Sequence, residues 1–178
     1  NMPAQSPLAA WAQEVRTGKA GGKKCARIVR LEEWTDAPSL EAYELRVGRD
    51  TLLVRAASRA AERWAVATLR QLSDGGKEGV RACRIVDYPQ WGWRGAMLDV
   101  SRHFFPISFL RKQVDVLAQF KFNRLHLHLT DAAGWRMEIK KYPRLTQFAA
   151  WRTDSLWKTW WNGDRHYQEE GTPGAYGG

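Results

Sequence analysis

Between residues 94 and 131 the chain reads as strand, helix and strand joined by short connections, and nothing else in the sequence constrains the fold as tightly. Ala96 to Ser101 is strand-like. Pro106-Ile107-Ser108 opens a helix with Ser108 as N-cap, and Leu110, Val114, Leu117 and Ala118 form its apolar stripe. After Asn123, Leu125, Leu127 and Leu129 alternate with His126 and His128. This order is a βαβ unit, with parallel strands and a right-handed crossover. A parallel sheet needs both faces covered and its edges paired, and two strands provide neither. Residues 152–178 are rich in Gly, Trp and charge and read as loop, so no later strand is legible. The segment is therefore expected to open a larger parallel structure that ends here mid-loop. A βα barrel takes about 250 residues, so the stretch from residue 89 onward has room for two or three of its eight units.

The preceding half has a different pattern. Cys25 to Leu31 reads as a strand. Tyr43, Leu45 and Val47 alternate with Glu44 and Arg46, Gly48-Arg49-Asp50 turns, and Thr51 to Ala57 returns as the second arm of a hairpin. Ser58 caps a helix with Ala61, Ala65, Leu69 and Leu72 on one face, and Asp74-Gly75-Gly76 stops it. Val80 to Val86 is a further strand. The reading is a helix on one face of an antiparallel sheet. Asp87-Tyr88-Pro89-Gln90-Trp91-Gly92-Trp93 interrupts the pattern as a boundary. Three segments are expected: residues 1–24, partly irregular; a small α+β domain over 25–88; and the start of a barrel over 89–178.

Composition removes several function classes. The net charge is +9, but Lys and Arg are scattered and never interleave with aromatics in a nucleic-acid-binding tract, so no nucleic-acid partner is expected. No apolar run approaches the roughly 20 residues of a membrane-spanning helix. Cys25 and Cys83 could pair if their strands are neighbours, but buried free thiols are the default reading, and there is no CxxC and no zinc spacing. Four of ten tryptophans, Trp151, Trp157, Trp160 and Trp161, crowd one polar stretch. Such rings suit sugar faces, although for each one packing against the rest of the protein is the simpler reading.

The stretch Arg94-Gly95-Ala96-Met97-Leu98-Asp99-Val100-Ser101-Arg102-His103-Phe104-Phe105 resembles the first barrel strand of glycoside hydrolase family 20, the β-N-acetylhexosaminidases. Phe122-Asn123-Arg124-Leu125-His126-Leu127-His128-Leu129-Thr130-Asp131 resembles the second. Gly134-Trp135-Arg136, Lys141-Tyr142-Pro143-Arg144-Leu145 and Pro173-Gly174-Ala175-Tyr176 are similar to the pieces that follow, in the same order. The resemblance implies an N-terminal α+β domain followed by the first β/α units of an incomplete (β/α)8 TIM barrel. It implies release of terminal β-linked N-acetylhexosamine from glycans, export to the periplasm or beyond, and no cofactor.

Arg102 and Asp131 each lie just past a strand end, where barrel active sites sit, on strands about 4.8 Å apart. The Arg102 fork suits two vicinal hydroxyls, and a salt bridge tying the strand ends is the plainer alternative. By resemblance Arg102 grips the ring hydroxyls and Asp131 orients a polar network. The family's catalytic pair is an adjacent Asp-Glu, and no Asp-Glu dipeptide occurs here, so no catalytic residue is assigned within the chain. Ala132 stands where a second acid is frequent, and Glu169-Glu170 reads as solvated charge. The implied partner besides glycan is the remainder of the barrel. Two alternatives carry other functions: a non-catalytic carbohydrate-binding module, and a metal-dependent barrel hydrolase using His126 and His128. The leucines share the parity of Asp131, so the histidines are expected on the helix-layer side, away from the barrel mouth, with no metal.

Overall fold

A computed structural model describes residues 6–16, 28–74, 80–132, 134–151 and 174–177. Cys25, Gly75-Gly76, Trp157, Trp160, Trp161, Glu169-Glu170 and Pro173 lie outside these residues. The chain divides into two compact units, Asn1–Trp93 with Ala118–Lys121, and Arg94–Leu117 with Phe122–Gly178.

In the first unit the elements are α1 (Pro7–Arg16), β1 (Ile28–Glu33), β2 (Tyr43–Val47), β3 (Thr51–Ala56), α2 (Arg59–Asp74) and β4 (Cys83–Asp87). The hairpin of β2 and β3 forms as the alternation requires, closed by the Gly48 N–H on the Thr51 carbonyl at 2.8 Å. The sheet order is β1-β3-β2-β4. It is mixed rather than antiparallel, because β1 runs parallel to β3. That pairing sets Val29 beside Leu52 and Leu31 beside Val54. These residues share the face that carries Tyr43 and Leu45, so the apolar match fits the register.

Residues 7–16, expected to be partly irregular, form a helix. Leu8, Trp11, Ala12 and Val15 recur at i, i+3, i+4 and i+7, and all four are buried against the core. Its start is fastened from far along the chain. The carboxylate of buried Glu62 accepts from the Leu8 N–H at 2.9 Å and from the Ser6 hydroxyl, whose oxygen takes the Ala9 N–H at 3.2 Å. Ser58 caps α2, accepting from the Ala60 and Ala61 N–H groups at 3.1 and 3.3 Å. Ala61, Ala65 and Leu69 are buried, whereas Leu72 is exposed and stands outside the stripe.

The second unit carries β5 (Gly95–Asp99), most of α3 (Ile107–Gln119), β6 (Arg124–His128), β7 (Thr130–Asp131), β8 (Gly134–Trp135) and α4 (Arg144–Gln147). Strands β5 and β6 are parallel, with Gly95 opposite Arg124 and Asp99 opposite His128. The helix begins one residue earlier than Ser108, and the Phe109 and Leu110 N–H groups reach the Pro106 carbonyl. Ser108 is therefore inside the first turn and is not the cap. Of the anticipated stripe only Leu110 is buried, while Val114 is 48% exposed. A sheet of two strands offers little apolar surface for a stripe of that length.

On the outer face of the first sheet Glu44 is buried to 1% exposure. Arg46 Nε, Arg84 Nε and Arg55 Nη1 donate to its carboxylate at 2.8, 2.7 and 3.2 Å. The Arg46 guanidinium foremost, then Arg84 and Arg55, overcome the upward push of burial and hold the carboxyl at about 2. The folded value lies below the ordinary 4.5. The stabilisation is thus complete above about pH 4.5 and is lost as pH falls through 2. Glu44→Gln is expected to cost about 2 kcal/mol at pH 7, since solvent around Arg46 and Arg84 screens the pairs. Urea unfolding measured across this pH range should show the wild-type acid loss flattened in the variant.

Candidate functional site

The strand end that presents Arg102 is held by a buried arginine. Arg136 is fully buried, and its guanidinium donates to four backbone carbonyls. Nε reaches Val100 O at 3.0 Å, Nη2 reaches Ser101 O at 2.9 Å, and Nη1 reaches the carbonyls of Ala150 and Gly174. Val100 and Ser101, the two residues between β5 and Arg102, are themselves fully buried. The Phe104 ring lies 5.6 Å from the Arg136 guanidinium and stacks on Tyr176 at 5.1 Å. Gly174 is required at its position, because a Cβ there would fall 2.3 Å from the Phe104 ring. The Tyr176 hydroxyl donates to Phe105 O at 2.7 Å. The connection from β5 into α3 is thereby pinned on both sides of Arg102.

Arg102 lies between two carboxylates. Its Nη1 is 2.7 Å from Asp99 Oδ2, and its Nη2 is 2.8 Å from Asp131 Oδ2. Asp99 Oδ1 also accepts the N–H groups of Ser101 and Arg102 at 3.0 and 3.1 Å, an Asx-type turn that ends the strand. Asp131 Oδ2 meets His128 Nε2 at 2.9 Å, and Asp131 Oδ1 accepts the Ala132 N–H at 2.7 Å. The side chain of Arg102 is 42% exposed and those of Asp99, Asp131 and His128 about a third, so the cluster is open to a ligand.

The electrostatics keep both acids ionised. The Ala132 N–H foremost, with His128 and the charge of Arg102, lowers the Asp131 carboxyl below its ordinary value. At Asp99 burial pushes upward, and the backbone and guanidinium of Arg102 outweigh it, again lowering the carboxyl. Two carboxylates around one guanidinium fix its plane and leave Nε and the outer N–H groups available as a donor edge. That edge suits neutral hydroxyl oxygens, because the adjacent negative charge opposes an anion.

The two residues singled out from the sequence, Arg102 and Asp131, are therefore brought into direct contact. The histidines are not arranged as expected. Asp99 and His128 are register partners on one face of the sheet, and His128 turns to Asp131 instead of away from it. The parity argument failed because β6 ends at His128. Thr130 and Asp131 belong to a separate pairing with Gly134 and Trp135, so the alternation does not run through Leu129. His126 is exposed. Among the described residues no group of three or more His, Cys, Asp or Glu side chains gathers as a metal site. Asp99 was missed, although an Asp at a strand end three residues before Arg102 is a turn-forming signal. The role of Arg136 had no local signal, since its four acceptors come from distant segments.

The description "Glycosyl hydrolase family 20, domain 2" matches residues 6–88, and "Glycosyl hydrolase family 20, catalytic domain" matches residues 91–173. The chain belongs to glycosyl hydrolase family 20. A β-hexosaminidase of Akkermansia muciniphila is 41% identical to this family 20 chain over 139 residues, 75% of the chain and 28% of the relative. A β-N-acetylhexosaminidase of Cellulomonas fimi is 41% identical over 140 residues, 77% of the chain and 28% of the relative. The crystal structure of an exo-β-N-acetylglucosaminidase from Vibrio harveyi with N-acetylglucosamine superposes with a TM-score of 0.73 at 28% identity, over 87% of this chain and 27% of that one. The chain thus spans little more than a quarter of the length of these relatives. Its fold is the family's mixed α+β domain followed by the opening β/α unit of its TIM barrel. No helix among the described residues is long and apolar enough to cross a membrane.

Replacing the carbonyl-binding fork with a point charge should fail. Arg136→Lys is expected to cost about 3 kcal/mol, because a lysine cannot reach four fixed acceptors and leaves buried carbonyls unpaired. Chemical denaturation checks this, and a loss below about 1 kcal/mol, a single exposed hydrogen bond's worth, would contradict it.

Proposed function

We propose that the protein to which this chain belongs releases terminal β-linked N-acetylhexosamine, and that Arg102 grips the substrate. The observation that carries the reading is the guanidinium held between Asp99, the last residue of β5, and Asp131, three residues past the end of the neighbouring parallel strand β6. In a (β/α)8 barrel those ends face the active site. A planar donor edge fixed by two anions pairs with two vicinal hydroxyls of a pyranose ring. The Asp131 carboxylate then orients Arg102 and His128, and does not itself transfer a proton to the leaving group.

The reaction expected of the family is substrate-assisted, outside the usual two-carboxylate scheme. The acetamido oxygen at C2 attacks the anomeric carbon as the glycosidic C–O bond breaks. A protonated carboxyl delivers its proton to the departing oxygen, and a second carboxylate steadies the acetamido N–H. Water then opens the oxazolinium ion and restores the acetamide. The acid pair for these steps would come from sequence outside these 178 residues, since no adjacent Asp-Glu occurs within them. Arg102 contributes positioning: it holds the far side of the ring so that the anomeric carbon meets those groups. Polymeric glycan substrates favour an exported protein.

The carbohydrate-binding alternative makes a different forecast. Under the enzymatic reading, this chain alone shows no turnover of a chromogenic β-N-acetylglucosaminide, while the full-length protein does. Arg102→Ala in the full-length protein is expected to lower kcat/KM by about 100-fold, with Arg102→Lys restoring little. Full activity in either variant would contradict the assignment, as would turnover by the isolated chain at a rate typical of enzymes.

A further inference from the structure

The outer face of the first unit's sheet carries an unusual charge pattern. By the strand register, Arg30 on β1, Leu53 on β3, Arg46 on β2 and Arg84 on β4 lie in one row across all four strands. The next row is Glu32, Arg55, Glu44 and Val86. Four arginines thus share the face with two glutamates, and Asp36 approaches Arg55 at its margin, at 3.9 Å. Glu44 is buried under three of the guanidiniums and accepts from each, so it acts as a fixed internal anion that sets their planes. Arg84 and Arg46 remain 68% and 51% exposed, and Arg30 is also exposed. Arg55 packs over the Trp34 ring at 5.4 Å, which stiffens the centre of the face.

A solvated surface charge ordinarily sits on a flexible side chain with its counter-ion in water. Here two exposed guanidiniums are prepaid in conformational entropy by one buried carboxylate, and positive charge is in excess along a row. Strand spacing places Arg46 and Arg84 about 5 Å apart at the backbone and Arg30 about 10 Å beyond Arg46. The row crosses all four strands, which fits an extended anionic chain better than a single small anion.

We propose that this face binds a polyanionic polysaccharide bearing sulfate or uronate groups, as a second glycan-contacting surface distinct from the Arg102 site. Arg46 and Arg84 meet one anionic group and Arg30 meets another further along the chain. The choice of polysaccharide over nucleic acid rests on the hexosaminidase reading. The surface itself does not, since its charge pattern belongs to the first unit alone. Such a face would keep the protein on anionic hexosamine polymers between cleavage events.

The test is binding of the 178-residue chain to immobilised chondroitin sulfate over a salt series, with neutral chitohexaose and duplex DNA as comparisons. The expected result is binding to chondroitin sulfate that weakens steeply with salt and is absent for chitohexaose. Arg30→Gln with Arg84→Gln should weaken it at least tenfold and lower the salt slope by about one per arginine. Arg63→Gln, on the exposed side of α2, should leave it unchanged. Because Arg84 touches Glu44, the single Arg30→Gln variant is measured too, with circular dichroism as the check on folding. It should weaken binding by about threefold without altering the spectrum. No binding at low salt, or binding indifferent to these variants, would overturn the proposal. Equal or tighter binding to DNA through the same arginines would overturn the polysaccharide assignment. Turnover of a neutral chromogenic substrate does not depend on this face, so failure here is separable from failure of the enzymatic reading.

Discussion

A fully buried guanidinium, that of Arg136, donates to the carbonyls of Val100, Ser101, Ala150 and Gly174 and holds the second unit together beside Arg102. Each of those carbonyls sits where regular strand or helix hydrogen bonding has stopped, and an unpaired buried carbonyl costs about 1–3 kcal/mol. One side chain meets all four needs because the fork is planar and has five donors. The consequence for function is mechanical. Val100 and Ser101 cannot shift without breaking charge-assisted bonds, so Arg102, the next residue, leaves the strand at a fixed point.

From that fixed point the polar cluster follows in order. Asp99 ends β5 with a turn that captures the Arg102 backbone and one edge of its guanidinium. Asp131, the last residue of β7, captures the other edge and is itself steadied by His128 and the Ala132 N–H. Every member has a partner, and the outer donor edge of Arg102 is what remains for a ligand. An arginine so constrained loses little freedom on meeting two hydroxyls, which is the advantage of preorganisation in the proposed sugar site.

Much of this was legible in the sequence where the signal is local. The β2–β3 hairpin follows from strict alternation around Gly48, and the Ser58 cap from a hydroxyl ahead of an apolar helical stripe. The meeting of Arg102 and Asp131 follows from their positions just past the ends of neighbouring parallel strands. What was not legible depends on distant partners. Helix α1 has the spacing of an amphipathic helix at Leu8, Trp11, Ala12 and Val15, but its start is secured by Glu62, more than fifty residues on. The parallel direction of β1 against β3 is a long-range pairing that no local pattern encodes. The placement of His128 was misread because alternation was carried past the end of β6 into a segment paired elsewhere.

The central claim is that Arg102, fixed by Asp99 and Asp131, holds the hydroxyl side of an N-acetylhexosamine ring. The most direct measurement is a crystal structure of the full-length protein with N-acetylglucosamine bound. The account predicts two ring hydroxyls within hydrogen-bond distance of the Arg102 guanidinium, with both carboxylate bridges intact. A sugar bound in the barrel mouth without touching Arg102, or an Arg102 turned away from Asp131 in that complex, would contradict it.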